Sequence, residues 1–162
     1  MLPKKLQDKI DARARDSSLR SLGFRQDLID FSSNDYLGFS RSKEIYNKAC
    51  SILKQHNYQA NGATGSRLLT ANHPLYLDTE KQIATFHKTP SALIFNSGYD
   101  ANIGFFSSVP QRGDVILYDA LCHASIRDGI AMSHAKGYKF THNNLQGLEA
   151  LLEAQNTSSS FQ

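Results

Sequence analysis

The stretch Val115-Ile-Leu-Tyr-Asp-Ala-Leu-Cys-His-Ala-Ser-Ile-Arg-Asp-Gly-Ile-Ala-Met-Ser-His-Ala-Lys-Gly-Tyr-Lys-Phe-Thr141 decides the fold. Its first four residues are a continuous apolar run of strand length. His123 to Ser133 then carries Ile126 and Ile130 on one helical face, and Tyr138-Lys-Phe-Thr141 reads as another strand. Strand, helix and strand in this order form the unit that joins parallel neighbours in a sheet. Upstream, Ala92-Leu-Ile-Phe95 reads as a strand and Ala101 to Ser108 as a helix; downstream, Leu145, Leu148, Leu151 and Leu152 line one face of a last helix. The alternation predicts an α/β fold with a mostly parallel sheet covered by helices on both faces.

The N-terminal third is less regular. Leu2, Leu6, Ile10 and Ala14 recur every four residues, so residues 3–19 read as an amphipathic arm with a basic outer face. Leu28-Ile-Asp-Phe31 reads as a short strand, and Ser33 to Gly38 as a turn in which Gly38 takes a left-handed conformation. A helix follows from Ser42, its candidate N-cap, to Gln55, with Glu44 suited to the first turn. Asn61 to Asn72 is a Gly-rich connector, after which Asn72-His-Pro74 opens another helix. Asn156 to Ser160 reads as a linker or loop. The expected division is 1–40, arm and short strand, and 41–162, the sheet domain.

A chain of 162 residues has room for one core of ordinary size. Hydrophobic residues at 40% and charged ones at 20% exclude a disordered chain. The net charge of +3 comes from scattered Lys and Arg, which does not suggest nucleic acid, and no apolar run is long enough to span a membrane. Cys50 and Cys122 have no metal-type or redox-motif spacing and no secretory leader precedes them, so a reducing cytoplasm is the expected location. The six histidines show no metal spacing, and no zinc is expected. Asn156-Thr-Ser158 matches a glycosylation acceptor, without meaning in the absence of secretion.

In open α/β sheets ligands collect at the carboxyl ends of strands. Asn96-Ser97-Gly98-Tyr99 follows one apolar run and precedes a helix. Small residues at Ser97 and Gly98 let backbone N–H groups approach an anion at a helix N-terminus, the Ser97 hydroxyl adds a donor, and Tyr99 could cover a ligand with its ring or bond it through its hydroxyl. An ordinary β-to-α turn remains the alternative. Asp119-Ala-Leu-Cys-His123 follows the next run, and His123 could stack on a flat ligand, act as an acid or base, or merely cap its helix. Two such loops after successive strands point to one shared site. The loop Asn61-Gly-Ala-Thr-Gly-Ser-Arg67 lacks the ending of a nucleotide P-loop and the dinucleotide spacing. Cys122 beside His123 lacks an orienting third group and is not read as a nucleophile.

Five blocks together carry a family resemblance: Ile29-Asp-Phe-Ser-Ser-Asn-Asp-Tyr-Leu-Gly38, Gly62-Ala-Thr-Gly-Ser-Arg-Leu-Leu-Thr70, His73-Pro-Leu-Tyr76, Phe95-Asn-Ser-Gly-Tyr-Asp-Ala-Asn102 and Asp119-Ala-Leu-Cys-His-Ala-Ser-Ile126. In this order and spacing, from about residue 6 to residue 153, the chain resembles the α-oxoamine synthases, fold-type I enzymes dependent on pyridoxal 5'-phosphate (PLP). The resemblance implies that Ser97, Gly98 and Tyr99 bind the cofactor's phosphate side and that His123 stacks on its ring and lies against the substrate. It implies that Arg20 binds the substrate carboxylate, with Arg13 and Arg15 as alternative alignments, and that Asn34 lies in the turn approaching the substrate. The Gly62 to Arg67 loop would lie near a homodimer interface and the active-site mouth.

The implied reaction is a decarboxylative condensation of L-alanine with an acyl thioester, pimeloyl-CoA or its acyl-carrier-protein form, in which the PLP ring acts as electron sink. Glycine acetyltransferase and serine palmitoyltransferase chemistry are the alternatives within the family. The Schiff-base lysine and the acidic partner of the pyridine nitrogen come, in this family, in later segments that this chain does not contain. None of its ten lysines, Lys136 and Lys139 included, has that context. The expectation is therefore an incomplete large domain, inactive alone, that holds PLP weakly if at all. A rival reading is a non-catalytic fragment that binds an anion or a partner chain and exposes sheet edges.

Overall fold

A computed structural model describes residues 2–23, 28–58 and 61–159. The chain divides into two units, Met1–Asn61 and Gly62–Gln162, each taken by itself below.

In the first unit, α1 (Lys4–Arg15) is opened by Pro3 and ends four residues short of the expected end at residue 19. Ser17 takes a φ of 53°, and the N–H groups of Ser18 and Leu19 turn back onto the Arg13 carbonyl at 2.8 and 3.0 Å. That closure satisfies the last carbonyls and stops the helix. The expected strand Leu28–Phe31 is absent. Asp30 Oδ1 instead accepts the backbone N–H groups of Ser32 and Ser33, each at 3.0 Å, a local turn that competes with extended pairing. Gly38 is left-handed, at φ 68°, as expected. Ser42 Oγ accepts from Ile45 N at 3.3 Å and caps α2 (Lys43–Gln55), whose first turn holds Glu44.

In the second unit, the Gly-rich connector ends in a wide π-type turn, Arg67–Ala71, with the N–H groups of Leu69, Thr70 and Ala71 converging on the Ser66 carbonyl. Then come α3 (Pro74–His87), α4 (Gly98–Ser108), β1 (Val115–Asp119), α5 (Ala124–Met132), β2 (Lys136–Phe140) and α6 (Leu145–Ser159). β1 and β2 are parallel, in register from Val115 opposite Lys136 to Asp119 opposite Phe140. The predicted strand–helix–strand unit is therefore present, and α6 packs on both strands. The segment 92–95 is not a strand. Among the described residues no neighbour pairs with it, and the Ile94 N–H donates at 2.9 Å to Glu80 Oε1 rather than to a ladder. The 156–160 stretch reads as a linker or loop; α6 instead runs through it to Ser159, while Ser160 lies outside the described residues.

Two close contacts hold this unit. α5 lies against α4 at Gly129, where a Cβ would meet Phe106 Cβ at 2.9 Å, the Asn102 carbonyl oxygen at 3.1 Å and Ile103 Cα at 3.2 Å. Ser125, Gly129 and Ile130 are the buried residues of α5. The second is an ion pair. Arg67 Nη1 and Nη2 meet Glu80 Oε1 and Oε2 at 2.6 and 3.0 Å, Nε and Nη2 both donate to Asn72 Oδ1 at 3.1 Å, and the guanidinium lies 4.2 Å from the centre of the Tyr76 ring. A guanidinium is suited to this, since its fork matches a carboxylate while its face stacks on an aromatic ring. The Glu80 side chain is only 12% exposed. Hydrogen bonds from Arg67 first, then from the Ile94 N–H, hold its carboxyl at about 2, against an ordinary value of 4.5.

Two outcomes are expected. Gly129→Ala presses a methyl onto backbone that cannot move aside, and should cost about 1–3 kcal/mol, read as a lowered Tm with the far-ultraviolet spectrum retained. The stabilisation from Glu80 is present above about pH 4.5 and lost as pH falls toward 2, because its folded value is depressed. Acid unfolding of Glu80→Gln should accordingly show a flatter pH dependence of stability across that window; a slope equal to the parent's would refute this account of the pair.

Candidate active site

The N-terminus of α4 is built by Ser97. Its Oγ accepts from Asp100 N at 3.0 Å, and its carbonyl accepts from Ala101 N at 3.0 Å. That bond uses the Ser97 oxygen as acceptor, so the O–H remains able to donate. A helix start leaves its first N–H groups without intrahelical acceptors. Among the described residues those of Gly98 and Tyr99 have none. Gly98 is in neither a left-handed conformation nor a crowded one: a Cβ there would meet nothing within 4 Å. Local geometry therefore gives no reason for glycine at this position, whereas close approach by an outside group does. Ser97, Gly98 and Tyr99 are all exposed.

The sequence left the Tyr99 hydroxyl available for a ligand; the structure gives it to Asp128 on α5, to whose Oδ2 it donates. That bond, and the carboxylate charge behind it, push the phenol above its ordinary value. The ring stands edge-on to His123, with centroids 6.4 Å apart and planes at 80°. The two loops are thus brought together, as their positions after successive strand candidates suggested.

His123 is the N-cap of α5. Its Nδ1 accepts from Ser125 N at 3.2 Å and lies 2.7 Å from Ser125 Oγ, which receives Asn102 Nδ2 at 2.9 Å. A backbone N–H can only donate, so Nδ1 acts as acceptor and Nε2 is the ring nitrogen that can donate. The capping role and an exposed ring coexist. Sequence spacing missed Asn102 and Ser125, because 23 residues separate them and only the packing of α4 on α5 joins them.

Asp119, at the carboxyl end of β1, was also missed. Its Oδ1 accepts from Leu121 N at 2.7 Å and His142 Nδ1 at 2.9 Å, and its Oδ2 from Asn143 N at 3.0 Å. These bonds, the Leu121 N–H foremost, hold the carboxyl below its ordinary range. They fasten the loop that presents His123 to the loop after β2. Cys122 is a half-buried free thiol whose carbonyl accepts from Arg127 Nη1 at 3.0 Å. Arg20 and Asn34 belong to the first unit and are exposed there; the Tyr36 hydroxyl donates to Asn34 Oδ1 at 3.5 Å. Among the described residues no cluster of His, Cys, Asp and Glu could hold a metal ion, and no helix is long and apolar enough to cross a membrane.

Comparison with known proteins adds three findings. A curated relative from Emericella nidulans named 8-amino-7-oxononanoate synthase is 47% identical over 135 residues, 80% of this chain and 32% of the relative; one of the same name from Granulibacter bethesdensis is 39% identical over 87% of this chain and 36% of the relative. The chain thus spans about a third of the length of these relatives. Among solved structures, Sphingomonas wittichii serine palmitoyltransferase superposes with a TM-score of 0.65 at 31% identity, covering 72% of this chain and 28% of that one. An 8-amino-7-oxononanoate synthase from Francisella tularensis does so at 0.60 and 28%, covering 76% and 34%. A serine palmitoyltransferase from S. paucimobilis with a bound PLP–myriocin aldimine, 21% identical over 93% of this chain and 42% of that one, reaches 0.75 and shares the fold. Residues 26–160, most of the chain, match the family described as aminotransferase class I and II, and the chain belongs to that family.

Proposed function

We propose that this chain carries the phosphate and ring side of a PLP site, in an enzyme that condenses L-alanine with a pimeloyl thioester to 8-amino-7-oxononanoate, a step of biotin biosynthesis. The observation that carries the cofactor reading is Gly98: a glycine with no conformational or packing need of its own, at a helix start where the Ser97 hydroxyl adjoins the Gly98 and Tyr99 N–H groups, which have no acceptor among the described residues. Such a helix start receives a phosphate without any cation. The Ser97 O–H and the Gly98 and Tyr99 N–H groups would hold the phosphate oxygens. His123 would lie against the pyridine ring and the substrate, and its Nε2 is the nitrogen able to donate there. When bound, PLP supplies the electron sink for a carbanion at the amino acid's α-carbon. To Arg20 and Asn34 we assign contacts with the substrate, Arg20 with its carboxylate. We divide the chain functionally into an arm, 1–40, and a cofactor-binding part, 41–162. A homodimer and a cytoplasmic location belong to the same reading, the latter suggested by two free thiols.

The alanine reading rests on the relatives at 39% and 47% identity that bear the 8-amino-7-oxononanoate synthase name. Serine palmitoyltransferase chemistry is the second reading, favoured by the 31% identity of the Sphingomonas wittichii enzyme.

Two measurements test these assignments. Gly98→Val puts a side chain where the phosphate would sit, and its Cβ meets nothing within 4 Å, so the unfolding free energy should stay within about 0.5 kcal/mol of the parent's. PLP affinity, followed by absorbance, should fall at least about tenfold; equal affinity would sink the phosphate assignment. For the substrate, product analysis of the intact gene product should give 8-amino-7-oxononanoate from L-alanine and a pimeloyl thioester. A product formed only from L-serine and a palmitoyl thioester would favour the second reading.

A further inference from the structure

We propose that Asn102 and Ser125 are positioning residues that set how the His123 ring is turned and, by adding a second donor to Nδ1, reinforce the ring hydrogen on Nε2. Ser125 is fully buried, at 0% exposure, although polar. A buried hydroxyl is tolerated when its donor and acceptor capacities are both used, and here they are used in one direction. Asn102 Nδ2 donates to Ser125 Oγ at 2.9 Å, so the hydroxyl hydrogen is free to point at His123 Nδ1, 2.7 Å away. The Ser125 N–H points at the same atom from 3.2 Å. Two donors therefore converge on Nδ1, which keeps it unprotonated and assigns the ring hydrogen to Nε2.

The relay spans the two helices that carry the candidate site. Asn102 stands one turn into α4, behind Ser97, Gly98 and Tyr99; Ser125 stands in the first turn of α5, behind His123. The close approach at Gly129, where a Cβ would touch the Asn102 carbonyl, holds the α4 backbone at the right distance for its amide to reach Ser125. A change at Asn102 should thus reach the His123 ring without touching it. The geometry is independent of any ligand, whereas the benefit to PLP binding rests on the role proposed above for His123.

The test reads the two ring nitrogens of His123 by long-range proton–nitrogen correlation in the labelled chain, the signal being assigned by its loss in His123→Asn. The parent should show Nδ1 unprotonated and Nε2 protonated. Asn102→Asp keeps shape but replaces the donor by an acceptor, so the Ser125 hydroxyl turns toward the new carboxylate and Nδ1, left with the backbone donor alone, stays unprotonated but shifts. Ser125→Ala leaves the backbone donor alone, so Nδ1 stays unprotonated but shifts as it loses its second donor. A parent ring protonated on Nδ1, or one averaging between both forms, overturns the relay even if neither variant folds, and so does an unchanged spectrum in Asn102→Asp. In Ser125→Ala, PLP affinity should fall roughly threefold to tenfold. Altered ring signals with unaltered PLP affinity would leave the relay standing and overturn the ring contact assigned to His123.

Discussion

Gly129 lets α5 approach α4 so closely that even a methyl group would press on the Asn102 carbonyl at 3.1 Å and on Ile103 Cα at 3.2 Å. Much of the second unit follows from that approach. It brings Asn102 within reach of Ser125 and Tyr99 within reach of Asp128, and it sets the edge-on contact between Tyr99 and His123. Interiors packed to the density of organic crystals do not deform continuously. The Ser97–Tyr99 loop and His123 are therefore held relative to each other by backbone contact, and the polar links between the helices refine a distance that packing has already set.

Polar side chains are used here chiefly to end and join segments. Ser42, Ser97 and His123 each cap a helix by accepting a backbone N–H. Asp30 and Asp119 gather the N–H groups of turns, and both carboxyls are held below their ordinary range, Asp30 by the Ser33 side chain first and then by the Ser32 and Ser33 N–H groups, Asp119 by the Leu121 N–H foremost. Asp119 joins the loops after β1 and β2 at the end of the sheet where His123 is presented. A capping residue has donors or acceptors left over for an outside group: at Ser97 this is the O–H, at His123 the Nε2 side of the ring. The same side chain can finish a helix and face a ligand.

Residues with local causes were legible from the sequence. Ser42 before a periodic run, Pro74 opening α3, Gly38 in a left-handed turn and the alternation from Val115 to Phe140 each depend on neighbours within a few positions. The misreadings share a different cause. Ala92–Phe95 and Leu28–Phe31 are apolar enough for strands, but a strand is defined by its partner. Ile94 finds a carboxylate, and the turn at Asp30 closes on itself. Within the site, Ser97, Gly98, Tyr99 and His123 announced themselves by their positions after strand candidates. Asn102, Ser125 and Asp128 did not, since their relevance arises only when two helices meet.

Glu80 has one carboxylate and three obligations: the Arg67 guanidinium, through it the turn ending at Asn72, and the Ile94 amide on the approach to α4. An amide bonded to a side chain rather than to a strand can exchange with solvent only when that side chain lets go. The exchange rate of the Ile94 amide is therefore a gauge of how often the Glu80 carboxylate releases the segment leading to Ser97.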